Sequence, residues 1–594
     1  MTTSPRQFSK SANRPRLGAR RIPTRFSRAR PSHLAMATGL YAFFAIFLIW
    51  PIAQVCAAGF IGGDGHFTFA YVRLVFSDPM LVRGLVNAGI VAVFVTGLTL
   101  LLSLPLAVLT VRYEFPLRRL LSGLLLVPLV LPPFVGAIGV RMVLGRYGPL
   151  SQILGAGPSG IDWIGRYRLA GVIVVEALGL YPIMLLNLQA SLANIDPAME
   201  QAAANLGAGR WKIFANITMP LIRPGLFAGC TLVLIWSFTE LGTPLMFNYY
   251  TITPVQIFEQ LTEVASSPLP FALVVVMLGA SACLYIIGKV VMGRPFDAAT
   301  TKASTGSTER RLRGGKAWLA TLAVGGVFLL AVLPHLSVII TSLCSTRGWY
   351  KSILPAYWTL NHYHAALLDE LALPSVWNSI RYAGGAMGLA LIVGLCAAII
   401  IVRSDVPGRW IIDSLSMLPL AVPGLVLSFG YLAISIAIKK KLGDRTPRFL
   451  DVLEWPTVVL ILAYAARRLP YVVRSAVAGL QQTPRDLELA AANLGAPRRT
   501  VLARITVPLI LANLIAGGLL AFAFAMLEVS DSLILAQRMD YYPITKAILD
   551  LSQRLGDGLY IASALGVWAM VLLTLTILCA NALLGRKMGA VFRV

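Results

Sequence analysis

The chain has 594 residues, 57% apolar and 13% charged, with a mean hydropathy of +0.75 and a formal net charge of +25. That leaves too little polar surface to cover a soluble core, so composition excludes a soluble globular protein and points to the bilayer. The basic excess does not indicate nucleic acid, because most Lys and Arg lie in short segments between apolar runs rather than on one amphipathic surface.

The first 35 residues hold nine Lys or Arg and no acid, and read as a disordered, cytoplasmic basic tail. Arg20-Arg21 and the residues before Cys56 offer the competing reading of an export signal. Against it, the run from Met36 to about Cys56 has the length of a spanning helix and exceeds a usual signal core. Further spans are expected near 86–111, 120–143, 169–190, 224–246 and 271–292, after the first at 36–58. A polar, basic linker at 293–316 follows, and six more are expected near 317–343, 377–402, 411–438, 457–478, 511–536 and 563–585. The expected fold is an all-α integral membrane protein of two tandem six-helix halves, 36–292 and 317–585, with a short cytoplasmic tail at 586–594. The six cysteines lie scattered, without CxxC spacing, and read as packing residues.

The halves repeat one another. "EQAAANLGAGRWKIFANITMPLI" from Glu200 and "ELAAANLGAPRRTVLARITVPLI" from Glu488 lie 288 residues apart and agree at 15 of 23 positions. Pro182 and Glu240 recur at the same spacing as Pro470 and Glu528. Asn87, Val111-Arg112, Pro116, Pro128 and Pro132 recur 291 residues later as Asn378, Val402-Arg403, Pro407, Pro419 and Pro423. With the amino terminus inside, both repeated segments face the cytoplasm, as positive-inside bias requires of their Lys and Arg. Two basic outer loops, with Arg146, Arg166 and Arg168 and with Lys439, Lys440, Lys441, Arg445 and Arg448, depart from that bias and read as interfacial snorkelling.

The repeated segments resemble the cytoplasmic coupling loop, or EAA loop, of permease subunits of type I ATP-binding cassette importers. The matching residues are Ala202, Ala203, Gly207, Ile217 and Pro220 in the loop at 193–222, and Ala490, Ala491, Gly495, Ile505 and Pro508 in the loop at 481–510. The usual glutamate position holds Gln201 and Leu489; Glu200 and Glu488 stand one residue earlier and are carried as candidate docking residues. The resemblance implies a short helix, a glycine turn and a second helix seated in a groove of an ATPase. Alanine-rich helices allow close approach, and glycine permits the turn.

The sequence contains no GxxxxGK[ST] phosphate loop. The resemblance therefore implies that the chain is not itself an enzyme and binds no cofactor, with ATP and Mg held by a dimer of separate ATPase subunits. An external substrate-binding protein and membrane lipids complete the expected partners. A fused twelve-helix permease with "RRLPYVVRSAVAGL" before the second loop is similar to the ferric-iron group. That resemblance makes ferric iron the substrate expected first; relatives of the group are reported to handle thiamine, putrescine, aminoethylphosphonate and sugar phosphates, and a phosphonate or phosphorylated sugar is expected next. The implied location is the bacterial inner membrane.

Acids follow each loop in expected spans: Glu240 in "FTELGTPL", and Glu528 and Asp531 in "MLEVSDSL". Placing a charge there costs about 2.5–3.5 kcal/mol or more unless it is paired or wet. Spacing puts Glu528 and Asp531 on one helical face, and the repeat puts Glu240 opposite Glu528. Arg467 and Arg468 interrupt another span. The five residues are expected either to surround a water-filled translocation pathway or to form structural ion pairs. Glu176, present in one half alone, is a weaker candidate. His362 and His364 read as a surface-loop pair and no metal site is expected, since alternate residues diverge on a helix and no third ligand is near in sequence. An ion-gradient-driven secondary transporter also suits repeats and intramembrane acids but leaves the docking loops unexplained, and a membrane-bound enzyme lacks a catalytic constellation.

Overall fold

The computed structural model describes residues 31–584 apart from 63–64, 130, 155–159, 265, 293–309, 347 and 350–351. The basic tail up to residue 30, most of the linker and the tail at 586–594 therefore lie outside the described residues. Where lipid offers no hydrogen bonds, the backbone satisfies itself within helices. Among the described residues nine helices are long and apolar enough to cross a membrane, and one bent pair in each half adds a broken span. Thr457–Gln482 carries three arginines, and packs on Ala372–Arg403 and Arg498–Met526 as Gly165–Ala193 packs on Pro79–Arg112 and Arg210–Phe238. It completes a set of six in each half.

The bent pairs correct the expectation of straight spans at 120–143 and 411–438. Arg118–Leu129 turns by 92° into Pro133–Val143, and Arg409–Ala421 turns by 101° into Gly424–Arg445. Pro132-Pro133 and Pro423-Gly424 stand at the two bends. Proline removes the amide and crowds the preceding turn, so each helix breaks where the repeat places its prolines.

The spans expected at 224–246 and 511–536 are also divided. The helices start earlier, at Arg210 and Arg498, and end at Phe238 and Met526. After a break the chain resumes as the short helices Gly242–Met246 and Ser530–Leu535. Glu240 and Glu528 thus sit in backbone breaks, and Asp531 in the first turn beyond, rather than along one continuous face.

The halves exchange their first helices. Pro31–Phe60 packs on Gly424–Leu442 and Ala372–Arg403 of the second half, while Gly315–Leu343 packs on Pro133–Val143 of the first. Tyr41 Oη donates to Gly408 O at 2.9 Å, and Tyr431 Oη to Phe47 O at 2.6 Å within a π-helical turn, Ala45–Ile49. Thr321 Oγ1 donates to Pro116 O at 3.1 Å, and His335 Nε2 to Pro132 O at 3.3 Å. Gly139 and its repeat mate Gly430 lie where any Cβ would overlap the carbonyl of Pro334 or Pro51. Small residues at crossings let backbones touch, which is how helices associate in lipid.

Asn87 and Asn378 hold the return segments in both halves. Asn87 Nδ2 donates to Thr251 O at 2.7 Å, and Asn378 Nδ2 to Asp540 O at 2.9 Å and Tyr542 O at 3.2 Å. Two parallel two-residue strands, β1 (Tyr113–Glu114) and β2 (Arg310–Arg311), join the end of the linker to the first half.

Candidate functional site: paired docking loops and a central cavity

Each repeated segment forms a helix, a left-handed turn and a second helix. Asp196 caps Pro197–Asn205 by accepting from Ala198 N at 3.0 Å, with Pro197 in the first turn. The second copy, Asp486–Asn493, has Asp486 and Glu488 in its first turn. Gly207 and Gly495 turn the chain at φ of +81° and +85°. Leu206 N bonds Ala202 O at 3.1 Å and Ala208 N bonds Ala203 O at 3.0 Å; Leu494 to Ala490 and Ala496 to Ala491, both at 3.1 Å, repeat the pattern. This is a Schellman-type end, where glycine avoids the Cβ clash of a left-handed residue.

The following helices do not stop at Pro220 and Pro508. Ile217 and Ile505 lie in π-helical turns, Phe214–Thr218 and Leu502–Thr506, which run without interruption into the spans. Pro220 and Pro508 stand second after those turns, inside the continuous helices, where each lacks the amide that an interior helical residue donates.

Glu200 and Glu488 are both tied by ion pairs to the ends of neighbouring spans. Arg112 clamps Glu200 through both guanidinium ends, with Nη2 2.7 Å from Oε1, and Thr218 Oγ1 donates to the same oxygen at 2.7 Å. In the second loop Arg403 Nε and Thr506 Oγ1 each reach Glu488 Oε1 at 3.2 Å. Arg403 Nη2 also binds Leu480 O and Thr483 O at 2.9 Å. The repeated Val-Arg pairs carried this signal, because each arginine ends a span beside a loop. The outward surface instead presents Leu206 and Leu494, 88% and 89% exposed, with Trp211 at 78%. Sequence reasoning missed these three.

The two breaks meet at a cavity of roughly 160 Å³ between the halves. Its walls include Pro132, Pro133, Pro419 and Pro423 from the bends, with Glu240, Glu528, Arg467 and Arg468. Gly242, two residues after Glu240, lies against Val529, one after Glu528, so the breaks face each other.

Four of the five expected pathway residues form one network. Arg467 Nη1 lies 2.7 Å from Glu528 Oε1 and 3.7 Å from Asp531 Oδ2, and Arg468 Nη2 binds Glu528 Oε2. Asp531 also accepts from Ser428 Oγ, and the Arg468 guanidinium lies 5.6 Å from the Phe524 ring centroid. Arg474 joins none of these and reaches Asp413 at 3.5 Å. Glu240 is different: it accepts from Gly242 N at 3.1 Å and Thr243 N at 3.4 Å, and no ion pair reaches it among the described residues. Its carboxylate is the half-buried acid that faces the cavity without a cationic partner.

His362 is buried rather than on a surface loop; Nε2 donates to Cys344 O at 2.9 Å and the ring stacks on Tyr560 at 5.1 Å. Among the described residues no group of three His, Cys, Asp or Glu is arranged to hold a metal.

The model of the family described as the binding-protein-dependent transport system inner membrane component matches twice, over residues 99–294 and 390–589. The chain belongs to this family. Each match contains one repeated loop and one acid-bearing break, and the exchanged first helices fall outside both. The permease is 28% identical over 498 residues to a putative ferric transport system permease protein of Haemophilus influenzae, covering 82% of this chain and 75% of that one. It is 27% identical over 551 residues to a ferric transport system permease protein of Actinobacillus pleuropneumoniae, covering 91% and 76%. A molybdenum transport system permease protein of Escherichia coli K12 is 35% identical over 168 residues, covering 27% of this chain and 71% of its own.

Within the permease the two sides of the cavity are chemically unequal. Arg467 corresponds to Gly179, and Gly424, beside Arg467, corresponds to Pro133. A Cβ on Gly424 would overlap the Arg467 guanidinium, whereas a Cβ on Gly179 would come within 2.7 Å of Pro133 Cγ. Bulk on one element is matched by glycine on the other, with the direction reversed between halves. The first half places Glu176 behind its break, held by Ser237 Oγ at 2.6 Å, where the second has Tyr464, bonded to Ser532 Oγ at 2.6 Å.

Proposed function

We propose that this permease is the membrane subunit of an ATP-driven importer that passes ferric iron inward by alternating access. One observation carries this reading: two nearly identical loops expose apolar tips while their acids are anchored inside the chain. A pair of separate ATPase subunits, holding ATP and Mg, docks on Leu206, Trp211 and Leu494 and on the alanine faces around Ala202, Ala203, Ala490 and Ala491. Glu200 and Glu488 act as internal clamps that tie each loop to Arg112 and Arg403. Arg210–Phe238 and Arg498–Met526 are 29 residues each, about 44 Å of helix, and run from the docking turn to the acid-bearing break. Movement of a loop by the ATPase is thereby delivered to the cavity wall.

Ferric iron follows from the long relatives and from Glu240, an oxygen donor of the kind hard cations prefer. It is cargo, so a weak contact serves better than a chelate. Arg467 and Arg468 are engaged by Glu528, which disfavours an anionic cargo such as a phosphonate or sugar phosphate. Thiamine and polyamines remain competing cargoes of the same importer class. The docking-loop face is assigned to the cytoplasm, with the amino terminus on that side and an external binding protein on the other, in a bacterial inner membrane.

The test is reconstitution with the cognate binding protein and ATPase. Uptake of radiolabelled ferric iron that requires ATP, with two ATPase copies per permease, is the expected result. Uptake driven by an ion gradient without ATP would overturn the importer reading, and ATP-driven uptake of another cargo alone would overturn ferric iron.

A further inference from the structure

On the docking-loop face, beside the start of the first loop at Ala193, the first half carries an open groove of about 1590 Å³. Four arginines line it, Arg118, Arg119, Arg311 and Arg313, against one acid, Glu114. β2 pairs with β1, and Leu312 N bonds Glu114 O at 2.9 Å, so the end of the linker is built into the groove and brings Arg311 and Arg313 with it. Gly314, at φ +60°, then turns the chain into Gly315–Leu343. Arg118 is oriented by Nε donating to Thr110 O at 2.8 Å, while Arg119, Arg311 and Arg313 are exposed.

The lip of this groove is apolar. Leu117, Leu120 and Trp318 are 59%, 57% and 60% exposed and lie on the first turns of two membrane helices or just before them. Tryptophan beside arginine at the start of a span is the chemistry of the lipid headgroup level. A soluble anion would use the arginines and ignore the lip; a phospholipid uses both.

Among the described residues the corresponding positions of the second half are built differently. Leu117, left-handed at φ 59°, corresponds to Gly408 at φ 81°, and there Tyr41 of the exchanged first helix bonds the Gly408 carbonyl. Arg119 corresponds to Trp410 and Glu114 to Asp405, and Arg409 is turned inward, donating from Nη1 to Ser404 O at 2.7 Å. A leucine held left-handed costs about 1–2 kcal/mol and marks a place where the backbone is constrained.

We propose that this groove is a binding site for an anionic phospholipid, its phosphate among Arg118, Arg119, Arg311 and Arg313 and its acyl chains along Leu120 and Trp318. Basic pockets between membrane helices recognise such headgroups. The lipid would fasten the linker end, and so the start of the second half, to the first half. Naming its leaflet as cytoplasmic rests on the orientation proposed above; the site itself does not.

Native mass spectrometry of the full-length permease in detergent, titrated with dioleoyl phosphatidylglycerol or dioleoyl phosphatidylcholine, tests this without any transport step. Phosphatidylglycerol should bind preferentially, and the triple variant R119Q/R311Q/R313Q should lose that preference by roughly tenfold or more. The variant K440Q/K441Q/R445Q removes equal charge from the other face and should keep it. Equal loss in both variants, no loss in the first, or displacement of the lipid by millimolar inorganic phosphate would each overturn the proposal. If the triple variant melts below the wild type, the single variant R313Q carries the same comparison.

Discussion

Glu528→Gln and Glu240→Gln separate structural charge from cargo contact. Glu528 is 3% exposed and Arg468 9%, so the pair is close to fully buried, and removing one partner of such a pair costs about 3–5 kcal/mol. Asp531 stays 3.7 Å from Arg467 and a glutamine still accepts one hydrogen bond, which places Glu528→Gln near the lower end, about 3 kcal/mol. Arg468 is the residue left exposed to the loss, because Glu528 is its acid. Glu240→Gln strands no cation and keeps both amide contacts, so its stability should stay within about 0.5 kcal/mol of wild type. The assay pairs the apparent melting temperature in detergent with uptake at matched membrane abundance. Glu528→Gln should melt several degrees lower, whereas Glu240→Gln should melt normally and transport poorly. Wild-type melting of Glu528→Gln, or wild-type uptake by Glu240→Gln, would refute this division of roles.

Further outcomes follow from the same geometry. Gly207→Asp and Gly495→Asp force a side chain into a left-handed turn, at about 1–2 kcal/mol each, and should abolish co-purification of the ATPase while leaving the permease in the membrane. Gly424→Ala should dislodge Arg467 and lower both melting temperature and uptake, whereas Gly388→Ala, on a helix with open space around its Cβ position, should be silent in both. Asp369 pairs with Arg554 at 2.7 Å outside the spans; burial raises its pKa, but Arg554 and the Leu371 and Ala372 amides outweigh burial and hold it below the usual carboxylate value. Its folded pKa being depressed, the contribution to stability is present above the unfolded value near 4 and disappears as pH falls through the folded one. The melting difference between wild type and Asp369→Asn should accordingly shrink on acidification below about pH 4 and stay constant above about pH 5. A difference that grows on acidification would contradict the pairing.

Much of the site was legible because duplication writes the same constraint twice. Gly207 and Gly495, the prolines at 128, 132, 419 and 423 and the Val-Arg pairs all recur at fixed spacing, although the bends those prolines make were not expected. The roles of Glu200 and Glu488 were not legible, since an acid in a docking motif suggests an outward contact, and only the position of Arg112 and Arg403 at the ends of neighbouring spans turns it inward. Leu206 and Leu494 escaped notice because a leucine in an apolar chain carries no signal until its exposure is known. The breaks at Glu240 and Glu528 were hidden for a related reason. Hydropathy averages over a window and passes smoothly through two or three residues of interrupted helix.

By itself the sequence determined membrane residence, the all-helical two-half architecture, the internal duplication and the two repeated loops. These depend on composition and on residues near one another along the chain, where local physics dominates. Only the tertiary structure decided that the first helices are exchanged between halves, that Glu528 is neutralised while Glu240 is left facing the cavity, and that the linker end completes a basic groove. Each of these depends on contacts between residues dozens to hundreds of positions apart. In lipid such contacts are selected by close packing and by the need to satisfy every buried charge, and neither leaves a periodic trace in the chain.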